Sequence, residues 1–385
     1  MTMQMIVVGG GYGGVSLVRR LEALGLGHQV TLIDRNASHT VLTEIHQVAA
    51  GLELPETYQI PFADMGSFRF LQAEVTGLDS AAGQLLTTAG PVHYDLLVFA
   101  VGGIDADFGV PGVREHALTL HSLTEALTIR NRLEELPAGT PILIAGGGFT
   151  GVELAAELGE RYGGGENITL VEGAPAILPG LPRRLQRRAR RRLGALGVNV
   201  ITGQFITRVD GPAAAGEGGM AHFADGSALP FGLLVWACGV RANPLIARLG
   251  IPVDKAGRAV VGPNLETPLP GVFVIGDAAA GAPPTAQAAS QQGAALALHL
   301  AARAAGRTAP VRPVRLLGAL VALGHGYGAG VVTGLPLTGW VPALIKRVNV
   351  ARWFRTAGGW AMALRYFLGF APGARRLTRP TPGHE

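Results

Sequence analysis

Two glycine-rich segments have the spacing that brings a protein backbone close to phosphate groups. They are residues 9–14 (GGGYGG) and residues 146–151 (GGGFTG), and both satisfy the pattern G-x-G-x-x-G. In this pattern the first glycine allows a tight turn, the second lets the backbone approach a pyrophosphate, and the third lets helix and strand pack closely. The following helix then offers unpaired N–H groups and the positive end of its dipole. Each loop therefore predicts a dinucleotide-binding site.

An acidic residue follows each loop at the distance expected for ribose recognition. Asp34 lies 20 residues after Gly14, and Glu172 lies 21 residues after Gly151, each at the end of the next apolar run. A carboxylate at this position can accept hydrogen bonds from the ribose hydroxyls of a bound dinucleotide. At the second loop the carboxylate favours NADH over NADPH, because it would repel a 2′-phosphate and no arginine immediately follows it.

Both loops lie between a predicted strand and a predicted helix, and this order of elements occurs twice along the chain. Apolar, β-branched runs predict the strands. The predicted strands cover residues 5–8, 29–33, 94–100, 141–145, 167–171, 233–237 and 271–275, and the predicted helices cover residues 15–24, 152–162 and 285–305. Alternating strands and helices indicate parallel sheets with helices on both faces, so the predicted fold class is α/β with two Rossmann-like dinucleotide-binding domains.

Two dinucleotide sites in one chain indicate that one cofactor stays bound while the other exchanges. A flavin accepts hydride and releases electrons singly or in pairs, so FAD is the natural resident and NADH the exchanging substrate. Asp277 ends the segment 271–277 (GVFVIGD), where its carboxylate can hydrogen-bond the ribityl chain of a flavin. An ordinary turn at the end of a strand explains the same residues equally well.

The predicted domain organisation has three parts. An FAD-binding domain comprises residues 1–118 and 255–312, and it is interrupted by an NADH-binding domain at residues 119–254. A membrane-associating C-terminal region follows at residues 313–385. In this region we predict a hairpin of residues 318–323 and 328–333 and a helix over residues 341–368.

The C-terminal region differs from the rest of the chain in charge and aromatic content. Residues 312–385 carry ten Lys or Arg side chains and one acidic residue, Glu385. Three of the four tryptophans also lie there, namely Trp340, Trp353 and Trp360. Basic residues mixed with Trp and Tyr are typical of a membrane interface. Nucleic-acid binding is the competing interpretation, and the many Leu, Ile and Phe residues argue against it.

Composition excludes several other classes of protein. The single cysteine, Cys238, cannot form an internal disulfide, and a chain without disulfides is typical of a reducing compartment. Cys238 is interpreted as a small buried residue at the end of a strand. Residues 316–345 lack Asp, Glu, Lys and Arg, but their seven glycines and two prolines argue against a transmembrane helix. The histidines show no metal-ligand spacing, so no metal is predicted. The seven arginines within residues 183–192 are interpreted as a solvated helix face.

The chain resembles the flavoproteins with two dinucleotide-binding domains, and within them the type II NADH dehydrogenases, which are non-proton-pumping NADH:quinone oxidoreductases. The resemblance covers nearly the whole chain. It is carried by residues 8–14, 95–102, 111–112, 116–133, 146–158, 171–175, 235–240, 272–277 and 284–293. The last of these segments (PTAQAASQQG) is the most specific, because glycine loops alone would identify only the superfamily. It resembles the family's helix beneath the isoalloxazine ring.

The resemblance assigns roles to individual residues. It implies that FAD is held by Gly9, Gly11, Tyr12, Gly13, Gly14, Asp34, Gly102, Asp277, Gln287 and Ala288. It implies that NADH is held by Gly146, Gly148, Thr150, Gly151, Glu172 and Gly239. The implied catalytic residues are Glu153 near the nicotinamide and Gln287 and Gln291 on the quinone side of the flavin. These residue types also suit structural roles, because an acid is favoured in the first turn of any helix and a core glutamine is commonly hydrogen-bonded.

The function implied by the resemblance is hydride transfer from NADH to FAD, followed by transfer of two electrons to a lipid quinone without proton pumping. The protein would act as a peripheral protein on the cytoplasmic face of the cell membrane, docked through its C-terminal region. A homodimer is left open, and no nucleic-acid partner is expected. Two alternatives remain: a soluble NADH-dependent reductase of a small electron-carrier protein of the ferredoxin or rubredoxin type, and a flavoprotein that senses NADH without turnover.

The sequence also departs from the family's pattern. Val101 stands where the family usually has threonine, and Cys238 stands where it usually has alanine or threonine. Residues 39–47 follow the family's apolar segment near the quinone entrance only loosely. Disulfide reductases and sulfide:quinone reductases share the scaffold but use at least two cysteines, which this chain does not have. The identity of the electron acceptor is therefore less firmly predicted than that of the donor.

Overall fold

The computed structural model describes residues 3–163, 167–212 and 218–369. Residues 370–385, which belong to the predicted C-terminal region, lie outside this part of the chain. The strands that it contains are, in chain order, β1 (Met5–Val8), β2 (Val30–Asp34), β3 (Ser38–Thr40), β4 (Gln59–Pro61), β5 (Arg69–Gln72), β6 (Val75–Asp79), β7 (Gln84–Thr87), β8 (Gly90–His93), β9 (Leu96–Phe99), β10 (Gly103–Asp105), β11 (Leu118–Thr119), β12 (Ile142–Ala145), β13 (Ile168–Glu172), β14 (Asn199–Thr202), β15 (Ile206–Asp210), β16 (Gly219–Phe223), β17 (Ala228–Phe231), β18 (Leu233–Trp236), β19 (Val240–Ala242), β20 (Val272–Val274), β21 (Gly318–Ala322), β22 (Gly328–Val332) and β23 (Leu335–Gly339). Its α-helices are α1 (Tyr12–Ala23), α2 (Ile45–Ala49), α3 (Val113–His116), α4 (Leu123–Glu135), α5 (Phe149–Tyr162), α6 (Arg183–Ala195), α7 (Leu245–Arg248), α8 (Ala286–Ala304) and α9 (Trp340–Gly369).

The first sheet has five parallel strands in the order β20-β9-β1-β2-β5. Every residue of β1, β9 and β20 is buried, as expected for a parallel sheet that is covered on both faces. Helices α1 and α8 pack tightly against each other beside this sheet. A Cβ atom built on Gly293 would lie 2.1 Å from the backbone oxygen of Gly13, so this helix contact requires a glycine.

The second sheet repeats the arrangement with five parallel strands in the order β11-β18-β12-β13-β14. The chain enters it after completing four strands of the first sheet and later returns to add β20 to the first sheet. The predicted α/β class is confirmed. The short antiparallel pair β10 and β19 joins the two halves near the carboxyl ends of their sheets.

Each half also carries a three-stranded antiparallel sheet that the sequence analysis did not predict. These are β6-β7-β8 in the first half and β15-β16-β17 in the second. Their strands are short and alternate between exposed and buried residues, as in β7. Such brief alternating segments carry a weaker sequence signal than the continuously buried core strands.

The C-terminal part folds back onto both halves. The predicted hairpin is present as β21 and β22, and a third strand, β23, extends it to a three-stranded antiparallel sheet that the sequence analysis missed. The predicted helix is present as α9, with a kink at Gly359, where φ is 84°. This positive φ favours glycine because a Cβ atom would be strained there. No helix within the described ranges is both long and apolar enough to span a membrane.

Candidate functional site

The first glycine loop leads from β1 into α1 and leaves open space where a ligand could approach. Gly9 has a φ of +100°, and a Cβ atom at Gly14 would lie 1.9 Å from the backbone oxygen of Gly9, so both positions require glycine for the turn and its packing. A Cβ atom at Gly11 would meet nothing within 4 Å. The Asp34 carboxylate accepts a hydrogen bond from the backbone N–H of Gly10 at 2.7 Å. The acid predicted from spacing therefore lies directly against the loop.

The second loop, between β12 and α5, reproduces this geometry. Gly146 has a φ of +104°, a Cβ atom at Gly151 would lie 1.9 Å from the backbone oxygen of Gly146, and Gly148 faces open space. The Glu172 carboxylate accepts a hydrogen bond from the backbone N–H of Gly147 at 2.6 Å. Both loops thus combine an open glycine, the amino-terminus of a helix longer than ten residues and a nearby carboxylate. This arrangement fits the pyrophosphate and ribose of a dinucleotide.

Three further predicted cofactor residues lie at the carboxyl ends of core strands. Gly102 and Gly239 follow β9 and β18, with φ of +64° and +125°, and a Cβ atom at either would meet nothing within 4 Å. Asp277 follows β20, and burial raises the pKa of its carboxyl while His121 and Arg258 oppose the rise. In open parallel sheets, ligands bind beyond the carboxyl ends of the strands. These residues therefore lie at an edge where a ligand could bind, and their roles toward a cofactor stay predictions.

Three other predicted cofactor residues, Tyr12, Thr150 and Ala288, lie in the first turns of helices. Tyr12 and Thr150 are at the starts of α1 and α5. Ala288 is buried at the start of α8, and its backbone N–H donates to the Thr285 hydroxyl at 3.1 Å, which caps the helix. All three residues therefore belong to helix amino-termini, which favour negative charge of a ligand, although the N–H of Ala288 already bonds the helix cap.

The predicted glutamines of α8, Gln287 and Gln291, share one helix face. Both form hydrogen bonds with the segment that connects α8 to β21. Leu317 donates its backbone N–H to Gln287 Oε1 at 2.8 Å. Gln291 makes a reciprocal pair with Arg315, accepting from its N–H at 2.8 Å and donating to its carbonyl at 2.9 Å. A role beside a quinone stays a prediction. Gln292 was not predicted from the sequence, and its buried side chain accepts a hydrogen bond from the backbone N–H of Gly276 at 2.7 Å, next to Asp277.

Glu153 is the centre of a buried group of ionisable side chains. Its Oε1 accepts from Lys346 Nζ at 2.6 Å and from the backbone N–H of Ala322 at 2.9 Å. Lys346 Nζ also lies 3.3 Å from Glu44 Oε1, and His46 lies between Glu153 Oε2 at 3.6 Å and Glu157 Oε1 at 3.8 Å. We call Glu44, His46, Glu153, Glu157 and Lys346 the charge cluster. It joins α2, α5 and α9, and a position of Glu153 beside the nicotinamide stays a prediction.

Burial sets the protonation of the charge cluster. It raises the pKa of Glu157 to about 8, with Glu160 adding to the rise, and that of Glu44 to about 7, where Lys346 opposes it. Burial, followed by the charge of Lys346, holds the pKa of His46 well below its usual range. For Lys346, burial is outweighed by Glu153 and Glu44, which raise its pKa. At neutral pH the cluster therefore contains an ammonium group, a neutral imidazole and a protonated Glu157.

Two parallel sheets, each ending in an open glycine loop with a carboxylate against it, define the class of proteins with two dinucleotide-binding sites. Residues 3–293 match the family model described as pyridine nucleotide-disulphide oxidoreductase. A Staphylococcus aureus protein named type II NADH:quinone oxidoreductase is 31% identical over 399 residues, which cover 94% of this chain and 98% of that protein. The chain therefore belongs to the pyridine nucleotide-disulphide oxidoreductase family and groups with its type II NADH dehydrogenases, as the resemblance implied.

A second relative is similar in sequence, and a solved structure is similar in fold. A Bacillus subtilis protein named NADH dehydrogenase-like protein YutJ is 30% identical over 352 residues, which cover 89% of this chain and 96% of that protein. The solved structure of NDH2 from Plasmodium falciparum in complex with NADH has the same fold, with a TM-score of 0.83 and 18% identity. That match covers 98% of this chain and 99% of the other.

The family description includes a disulphide that this chain cannot form internally. Cys238 is the single cysteine of the chain. Burial raises the pKa of its thiol to about 12, with the Glu172 carboxylate adding to the rise. Because the thiolate is the nucleophilic form, this raised pKa disfavours reaction of Cys238 at neutral pH. Cys238 lies just after β18, as predicted for a residue at the end of a strand, but its side chain is half-buried rather than buried.

Proposed function

We propose that this protein is an FAD-dependent oxidoreductase that takes hydride from NADH and passes two electrons to a quinone, without proton pumping. The observation that carries the proposal is the pair of equivalent glycine loops, each with an open glycine and a carboxylate against it. The relatives support the choice of donor and acceptor, since the Staphylococcus aureus protein is named for NADH and quinone.

We assign FAD to the first loop and NADH to the second. The FAD-binding domain would then comprise residues 1–118 and 255–312, and the NADH-binding domain residues 119–254. The residues named from the resemblance keep their roles within this division. A bound FAD supplies the hydride-accepting ring that can release its electrons to a second substrate. The chain's contribution is alignment and exclusion of water, so the donor half of the reaction needs no general base.

We further propose that the protein docks on the cytoplasmic face of a membrane through α9, where a lipid quinone is available. Large apolar side chains on the outer side of this helix are exposed, with exposed fractions of 69% for Trp340, 73% for Trp360, 58% for Leu364 and 61% for Leu368. Arg352 and Arg355 are exposed among them. Aromatic and basic residues together suit the headgroup region of a bilayer. A homodimer stays a prediction.

Anaerobic titration of the FAD-loaded protein tests the proposed reaction. We expect NADH to bleach the flavin absorbance and a water-soluble ubiquinone or menaquinone analogue to restore it over many turnovers. If NADH bleaches the flavin and the quinone leaves it reduced, the acceptor assignment is wrong. Reoxidation by a ferredoxin or rubredoxin would then support a soluble reductase, and a persistent reduced complex would support NADH sensing.

Two matched variants test which loop holds which cofactor. Asp34→Asn and Glu172→Gln each remove one carboxylate charge at an equivalent position. We expect Asp34→Asn to lower FAD content and leave the affinity of loaded protein for NADH unchanged. Glu172→Gln should raise the KM for NADH and retain FAD. The reverse pattern would exchange the two assignments.

A further inference from the structure

A histidine connects the C-terminal helix with the first glycine loop by hydrogen bonds. Trp353 on α9 donates its indole N–H to His39 Nε2 at 2.9 Å. The other ring nitrogen, His39 Nδ1, lies 2.8 Å from the backbone oxygen of Gly10. His39 is 2% exposed, so water does not compete for these contacts. A chain of two hydrogen bonds therefore connects α9 with the centre of the loop.

The direction of both hydrogen bonds follows from the donor. An indole N–H can only donate, so His39 Nε2 must accept and the ring proton must be on Nδ1. The proton on Nδ1 then points to the carbonyl of Gly10, which can only accept. Burial supports this neutral form by lowering the pKa of His39 to about 4, although the Gly10 hydrogen bond opposes it. Trp353 thus selects the tautomer that holds the loop carbonyl.

The hydrogen bonds restrain two consecutive peptide groups of the loop, one on each side of the Gly10 Cα atom. The N–H of Gly10 is held by the Asp34 carboxylate at 2.7 Å, and its carbonyl is held by His39. The next residue is Gly11, which faces the open space of the loop. A run of glycines can adopt many backbone conformations. Both hydrogen bonds to Gly10 are therefore needed to fix the direction of the N–H groups that follow it.

Aromatic packing reinforces the same contact. Trp353 lies against Tyr12, the first residue of α1, with ring centroids 4.6 Å apart. The His39 ring is 5.3 Å from both of the other rings. The phenol of Tyr12 is also 3.0 Å from the Thr43 hydroxyl. The start of α1, which would face a pyrophosphate, is therefore packed directly on the C-terminal helix.

We propose that His39 and Trp353 are positioning residues for the FAD pyrophosphate, so that the affinity for FAD depends on the seating of α9. The inference rests on the proposed function, because it requires FAD in the first loop. It adds that the helix proposed to dock on the membrane is also part of the flavin site. Because the coupling is reciprocal, bound FAD also holds α9 in place.

The Trp353→Phe variant tests this inference, because phenylalanine keeps an aromatic ring and removes the N–H donor. Trp340→Phe is the matched control, since Trp340 lies on the same helix and is 69% exposed. The dissociation constant of FAD is measured by titrating apoprotein with FAD and following flavin fluorescence. We expect Trp353→Phe to weaken FAD binding about three- to tenfold, the size of one lost hydrogen bond, and Trp340→Phe to change it less than about twofold.

A double-mutant cycle separates positioning from general destabilisation. His39→Phe should also weaken FAD binding, and adding Trp353→Phe should cost little more, because both residues act through the Gly10 carbonyl. Combined with Trp340→Phe, the effect of His39→Phe should be additive. The affinity of each variant for NADH serves as an internal reference and should be unchanged.

The outcomes distinguish this inference from the proposed function. If the unchanged protein binds no FAD, the proposed function is wrong and the inference is wrong with it. If it binds FAD and Trp353→Phe binds it equally well, only the inference is overturned. Equal losses of FAD and NADH affinity in Trp353→Phe would also overturn it, because they would indicate a general structural defect.

Discussion

Lys346 brings its ammonium group into the interior of the protein, between Glu153 and Glu44. A buried charge is tolerated when partners of opposite charge compensate it, and removing one partner leaves the others unpaired. Lys346 is also the member of the charge cluster that belongs to α9. The ion pair therefore contributes to holding the C-terminal helix on α5.

Replacing Lys346 with methionine should be strongly destabilising. Methionine keeps most of the side-chain volume but leaves the Glu153 carboxylate buried without its cation, which costs about 3–5 kcal/mol. Denaturant unfolding measures the change in free energy. Lys255→Met at an exposed position is the control and should change stability by less than about 0.5 kcal/mol. Equal effects of the two variants would show that the buried ion pair contributes nothing.

The acidic members of the charge cluster make stability depend on pH. The pKa of Glu157 is about 8 in the folded protein, against an ordinary value of 4.5. Between these values the folded state binds a proton that the unfolded state does not, so stability must fall as pH rises. The histidines whose pKa is lowered act in the opposite sense below pH 6.5, so the fall is clearest between about pH 6.5 and 8.5.

Glu157→Gln should flatten this dependence. Glutamine cannot ionise, so the variant should lose stability less steeply over that window, by up to about 1.4 kcal/mol per pH unit. Unfolding free energies at several pH values measure the slope. Glu135→Gln, at an exposed position of α4, is the control and should leave the slope unchanged. A Glu157→Gln slope equal to that of the parent protein would contradict the assignment of a raised pKa.

Local spacing predicted the loop residues but not the charge cluster. Asp34 and Glu172 were found because each lies within one strand-helix-strand unit, where 20 or so residues bring the chain back to the same edge. Lys346 and Glu153 are 193 residues apart, and Trp353 and His39 are 314 apart. No periodicity connects such positions, so their pairing follows only from the packing of whole elements.

At the scale of elements, the contact between α1 and α8 depends on two facing glycines. The backbone oxygen of Gly13 lies where a Cβ atom of Gly293 would be, at 2.1 Å. This contact explains why the segment 284–293 ends in glycine, a feature that the sequence analysis used only as part of a resemblance. Close approach of the helices places both of their amino-terminal turns at one end of the first sheet.

Gly293→Ala should therefore push the two helices apart. We expect a loss of about 1–3 kcal/mol, because the added methyl group meets backbone rather than a flexible side chain. Gly194→Ala in α6 is the matched control, since a Cβ atom there would meet nothing within 4 Å, and it should gain up to about 1 kcal/mol from helix propensity. Thermal or denaturant unfolding of both variants measures whether stability falls in Gly293→Ala and rises in Gly194→Ala.

Helices α6 and α9 show how far a sequence pattern determines the role of a helix. The arginines of α6 are mostly exposed, as a solvated face requires, but Arg190 bonds Val200 and Arg192 bonds Leu323 and Glu160. Helix α9 has apolar side chains on two faces, of which one is buried in the core and the other is exposed. Residue type alone does not tell which face is buried, because Trp353 lies on the inner face and Trp360 on the outer face.

At the scale of the whole molecule, the outer face of α9 predicts binding to lipid. Trp360→Ser combined with Leu364→Ser removes two exposed apolar side chains without touching the buried residues of the helix. We expect this variant to bind vesicles containing anionic lipid at least tenfold more weakly and to reduce a water-soluble quinone normally. Co-sedimentation with vesicles measures binding, and Leu335→Ser at another exposed apolar position is the control. Equal binding by all three proteins would rule out docking through α9.

The fold class followed from the sequence because parallel core strands are continuous apolar runs. The smaller antiparallel sheets and β23 did not, because their strands are short and half exposed. The position of the C-terminal region was also not predictable. Its basic and aromatic composition indicated contact with a membrane surface. In the structure, Lys346 and Trp353 instead contact Glu153 and His39 in the two halves of the protein.

The inward contacts of α9 have a consequence for the order of synthesis. Both glycine loops leave the ribosome early, but the partner of His39 is made 314 residues after it and the partner of Glu153 is made 193 residues after it. A nascent chain that ends before α9 therefore contains both loops but lacks the helix that contacts His39 and Glu153. Because exposed apolar surface makes such intermediates prone to aggregation, a premature stop codon in this last stretch would release a chain that quality-control proteases degrade.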